Sequence, residues 1–135
     1  MELLFVVIIV GILVTIALPG FARTTERAQQ RQAWDMLQTI YASEQVFFSV
    51  NDRYSDSWVP PANPGDPPTL GNYMDNPNTP GGPATYSVTV PAGPSPQTFT
   101  ATATGRCGGA IVTMTIDQRG RNFMSGAWLT CPMPI

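Results

Sequence analysis

The chain of 135 residues contains no histidine and no lysine, and only two cysteines. Without imidazole there is no histidine-based triad, and two cysteines alone cannot build the common zinc sites. All seven basic residues are arginine, set against nine acids, for a net charge of −2. A pI near 4.8 argues against the basic surface that nucleic acid requires. No direct nucleic-acid binding is expected. Asp52, Asp56, Asp66 and Asp75 lie in loop-like sequence with no His, Lys or Cys to work with. Asp52 to Asp56 lacks the ligand spacing and glycine of an EF-hand calcium loop. Scattered loop acids of this kind are ordinarily solvated, so no catalytic, cofactor-binding or metal-binding set emerges and no enzyme activity is expected.

Charge is also missing from the start of the chain. Leu3 to Leu18 is an unbroken run of apolar residues with Gly11 and Thr15 inside it, opened by Glu2 and closed by Pro19. As a helix, its sixteen residues would span about 24 Å, slightly short of the ~30 Å hydrocarbon core of a bilayer. No A-x-A cleavage site follows, which argues against removal as an ordinary signal peptide. Arg23, Arg27 and Arg31 lie on its C-terminal side, which by itself opposes export of the remainder. Glu2 is the informative residue. A carboxylate beside hydrocarbon is costly unless paired, so it calls for a cation that this segment lacks. The plainer role is to complement the helix dipole. Gly11 and Pro19 weaken or kink a helix, Pro by removing a backbone hydrogen bond.

From Phe21 to about Val50 the helical pattern continues, with Ala33, Leu37, Ile40, Tyr41, Phe47 and Phe48 recurring at helical spacing. Arg31 and Asp35 stand four residues apart, close enough to pair. Pro60 to Pro96 then packs eleven prolines and five glycines into 37 residues, which forbids helix and leaves turns and extended segments. Strand signals of period two follow: Tyr86, Val88 and Val90 alternate with hydroxyl residues, as do Phe99, Ala101 and Ala103, and then Val112, Met114 and Ile116. Asp117-Gln118-Arg119-Gly120 reads as a hairpin turn leading to a last strand near Asn122 to Trp128. The expected fold is α+β: a long helix, hydrophobic then amphipathic, packed on a small antiparallel β-sheet of three to four strands. The chain divides into a helix over 1–50 (1–20 apolar, 21–50 amphipathic), a Pro/Gly-rich surface loop with one strand over 51–97, and the remaining sheet with a C-terminal loop over 98–135. Cys107 and Cys131 are too far apart for a CxxC redox motif. Beside an export-type segment they read as a structural disulfide, worth roughly 3 kcal/mol, with two buried thiols as the alternative.

Glu2, Leu3, Leu4, Gly11 and Pro19, taken in register, resemble the N terminus of type IV pilins and their relatives. Members of that family normally carry four residues before the acid, the first N-methylated, and a basic leader before those. Here only Met1 precedes Glu2, so the resemblance implies three further mature residues and a leader cut by prepilin peptidase. It also implies that residues 1–20 serve as membrane segment and then filament core, and that Glu2 pairs with the N-terminal amine of a neighbouring subunit. The stretch between Gly11 and Pro19 would lose helicity on packing. Cys107 and Cys131 would bound the C-terminal loop. The Pro-rich loop would cover the outer surface and offer Ser55, Ser57, Thr69 and Thr79 for O-glycans.

The function implied is that of a structural subunit of a bacterial type IV pilus. It would be anchored in the inner membrane before assembly, then polymerised with identical subunits by the pilus machinery into an extracellular filament. Adhesion, motility and DNA uptake belong to whole pili. Three rivals stand beside this reading: a type II secretion pseudopilin, a minor pilin, and a membrane-anchored domain that never polymerises. A cysteine pair, where major pseudopilins typically carry a calcium-binding loop, favours the pilus. Phe5, Phe21, Trp34, Tyr41, Phe47 and Phe48 invite thoughts of electron conduction, but such aromatic stripes are more often core.

Overall fold

The computed structural model describes residues 2–107 and 110–124, with side chains described over 3–15, 24–107 and 110–122. One helix, α1 (Glu2–Asn51), accounts for 50 residues and about 75 Å of length. From Phe21 to Asn51 there is neither Gly nor Pro to interrupt it. Its end is built by one side chain and one backbone turn. The Asn51 amide donates to the Phe47 carbonyl at 2.9 Å, and Asp52 adopts a left-handed backbone (φ 54°) while donating its N–H to the Phe48 carbonyl. Aspartate is among the few non-glycine residues that enter that region readily. Gln97 then donates to the Asp52 carbonyl, tying the exit turn to the far end of the loop.

Four antiparallel strands follow in simple order: β1 (Ala84–Thr89), β2 (Thr100–Cys107), β3 (Ala110–Asp117) and β4 (Asn122–Met124). The helix lies across β2 and β3. The alternation read from the sequence decides which face it meets: Tyr86 and Val88, Ala101 and Ala103, and Val112, Met114 and Ile116 are all buried. Ala101 and Ala103, on a central strand, are fully buried with Leu37 and Ile40; small side chains there let a helix approach a sheet closely. The opposite face is a lattice of hydroxyls, with Thr85 opposite Thr104, Ser87 opposite Thr102, and Thr102 opposite Thr115. Thr–Thr pairs across strands add a few tenths of a kcal/mol each, up to about 1. The expected last strand reaches further than β4, and residues 125–128 lie outside the described residues.

The Asp117–Gly120 turn forms as its sequence suggests. Gly120 takes a positive φ of 69° and donates its N–H to the Asp117 carbonyl at 2.9 Å. The Pro-rich segment, by contrast, is pinned more firmly than its composition implies. Leu70, in the short helical turn Leu70–Asn72, is fully buried. Arg53 donates to the Pro68 carbonyl at 2.9 Å and lies over the Phe47 ring, which Tyr73 meets edge-on.

Candidate assembly surface

Every side chain from Leu3 to Thr15 is exposed, including eleven large apolar ones, among them Leu3 at 83% and Phe5 at 70%. The reason is geometric: the sheet is long enough to cover only the stretch from Ala33 to Phe48. No helix among the described residues is long and apolar enough to cross a membrane. Covering these eleven side chains fully would stabilise an assembly by on the order of 15–30 kcal/mol per subunit, at about 1.5–3 kcal/mol for each.

Glu2 begins the helix at the tip of this apolar stretch; its side chain lies outside those described. Gly11 stands mid-run, with open space where a Cβ would point. Pro19 falls inside the helical span. Arg31 and Asp35 are both exposed and make no ion pair with each other, as their separate solvation outweighs the small gain of a surface pair.

Glu44 is the residue that sequence reasoning misses. Positions 33, 37, 40, 44 and 47 step by four and three along one helix face, and all five are fully buried. That spacing was the available signal. One oxygen, Oε2, accepts the Ser55 N–H at 3.4 Å; the other, Oε1, is buried with no hydrogen-bond partner. Burial pushes its pKa from 4.5 up to about 7, with the Ser55 N–H pulling the other way and the Asp56 charge adding to the rise. Asp117 is held the opposite way. Burial disfavours its charge, but the N–H groups of Arg121 and Arg119 and the Arg121 guanidinium together outweigh that and keep its carboxyl below the usual range.

The four candidate loop hydroxyls sit in different surroundings. Ser55 is buried, and its Oγ accepts the Ser57 N–H at 3.3 Å. Ser57 and Thr69 are half-buried and both donate to the Val59 carbonyl, while Thr79 is exposed. Cys107 is buried at the end of β2 and is not a free thiol. Cys131 lies outside the described residues. No group of acids and cysteines that could hold a metal ion is found among the described residues.

Over 55 residues the chain is 46% identical to the type IV major pilin protein PilA of Myxococcus xanthus (strain DK1622), a match covering 41% of this chain and 25% of the relative. The chain thus spans about a quarter of the length of the relative it matches. No protein-family model matches the chain, and no solved structure matches it. The likeness is therefore to one part of a major pilin, and the arrangement it sits in here is α+β, a long helix packed on a small antiparallel sheet.

Proposed function

We propose that this chain is a structural subunit of a type IV pilus, polymerising through the apolar half of α1 into a helical filament on the cell surface. The observation that carries the reading is the uncovered apolar stretch from Leu3 to Val14, continuous through one helix with a folded domain that does not cover it. Similarity to a major pilin supports the same conclusion at the level of a pilus subunit. Before assembly a membrane supplies the cover; in the filament, the apolar helices of neighbouring subunits do so.

Glu2 sets register. Once in a dry helical core its carboxylate pairs with the N-terminal amine of a neighbour. Such a pair adds little net stability, but a misplaced neighbour leaves a buried charge unpaired at a cost of several kcal/mol. Gly11 and Pro19 bracket the stretch that lengthens by losing helicity, since extended chain rises about twice as far per residue as helix. The freed backbone groups find partners within the bundle. Cys107 pairs with Cys131 and closes the C-terminal loop. Thr79 is the best placed of the four hydroxyls to carry a sugar, because it is the exposed one.

Glu2→Ala tests the register role. The variant is expected in the membrane fraction at normal abundance, with few or malformed filaments by electron microscopy. Normal filaments from that variant would remove Glu2 from the mechanism.

A further inference from the structure

A strand at the edge of a sheet presents unpaired backbone groups to which another chain can add, and proteins usually blunt such edges with lysine, proline or charge. Here β1 is an edge strand by the order of the sheet. Its neighbourhood, Ala84-Thr85-Tyr86-Ser87-Val88-Thr89-Val90, holds no charged residue and no proline, and the whole chain has no lysine. An uncharged, β-branched and aromatic segment of this length is the composition that favours strand addition. Pro83 and Pro91 bracket it but leave its middle unprotected.

That middle is occupied by a side chain. The Asn78 Oδ1 accepts the Tyr86 N–H at 2.6 Å, and the Asn78 Nδ2 donates to the Tyr86 carbonyl at 2.9 Å. A carboxamide is a peptide group in miniature, so the two contacts reproduce the paired bonds that a residue of an adjoining antiparallel strand would make. Asn78 is itself held in place: its N–H donates to the Asn76 side-chain oxygen at 3.0 Å. The next residues then turn away, with Gly82 donating to the Thr79 carbonyl and Gly81 at φ 79°. Among the described residues no strand pairs with this outer edge of β1.

We infer that the Asn78 carboxamide is an edge plug, which keeps a strand from a second copy of this chain from adding to β1. The inference stands apart from the pilus reading, since it concerns the sheet and holds whether or not α1 polymerises. The excluded partner is an extended, uncharged segment of identical sequence, and contacts made at this edge are left to side chains.

The test uses the full chain dispersed in detergent micelles, so that α1 is covered. Asn78→Ala removes both bonds, and Asn78→Asp loses the donor and sets a carboxylate oxygen against the Tyr86 carbonyl, a repulsion that drives the side chain off the strand and breaks both bonds as well. Both are expected to exchange the Tyr86 amide proton about tenfold faster than wild type, the factor for losing one ordinary hydrogen bond. Both are also expected to form sedimenting species with the infrared amide band of intermolecular antiparallel sheet, in an amount that rises with protein concentration. Adding Ser87→Lys to Asn78→Ala should abolish that species while leaving Tyr86 exchange fast, because an edge lysine blocks addition without replacing the plug. Should Asn78→Ala fail to fold, Asn78→Asp and its Ser87→Lys double variant carry the same comparison. A variant that exposes the Tyr86 amide yet stays as monomeric as wild type overturns the inference and reduces Asn78 to a local turn clasp. So does association that Ser87→Lys leaves untouched.

Discussion

Glu44 should make the stability of the folded domain fall as pH rises from the ordinary carboxyl range towards neutrality. Its pKa stands at about 7 in the folded chain against an ordinary 4.5. Below pH 4.5 the group is protonated in both folded and unfolded states, and its neutral form sits in the core at full advantage. Between 4.5 and about 7 the unfolded chain releases the proton while the folded chain retains it, so stability declines with pH. At 1.36 kcal/mol for each pH unit, the decline amounts to about 3 kcal/mol and is complete above pH 7. The chain has no histidine to titrate in that window. Asp117 works in another one: its depressed pKa supplies stability that is present above the ordinary carboxylate pKa and lost only as pH falls through its lower folded value. The assay is urea denaturation of the full chain in micelles, followed by tryptophan fluorescence, for wild type and Glu44→Gln from pH 4.5 to 8. The difference between the two curves should slope by about 3 kcal/mol across the window, since the amide cannot ionise. Parallel curves would refute the buried, proton-retaining carboxyl.

Other substitutions test other parts of the molecule. Gly71→Ala should destabilise the domain by about 2 kcal/mol or more, because a Cβ there meets the Trp58 backbone and lies 2.8 Å from the Pro60 nitrogen; an unchanged denaturation midpoint would contradict that crowding. Cys107→Ser should cost about 2–5 kcal/mol if the Cys107–Cys131 bridge closes the C-terminal loop, lowering subunit abundance in cells. Equal abundance of variant and wild type would count against the bridge.

The parts of this structure that were legible beforehand are those governed by periodicity. Alternation of period two placed Tyr86, Val88, Ala101, Ala103, Met114 and Ile116 on one face, and the helix does cover that face. Helical spacing likewise picked out Ala33, Leu37, Ile40 and Phe47. Glu44 shares that stripe but escapes a hydrophobic pattern, because a carboxylate contributes nothing to one even when its position completes it. Asn78 was beyond reach for a different reason. Its role depends on its side chain meeting both backbone groups of a residue eight positions away, a contact that composition rich in Pro and Gly does not encode. The pinning of the loop through Leu70 was hidden in the same way: one apolar residue among turn formers carries no period.

The apolar tip was legible from the start as a run of residues, but its exposure was not. Only the fold reveals that the sheet stops short of it, leaving Leu3 to Val14 for other molecules to cover. Electron microscopy of filaments sheared from cells, with mass spectrometry of their dominant band, tests that most directly. The account predicts thin filaments composed mainly of this chain. A chain that stays in the membrane fraction and is absent from every surface filament would contradict it.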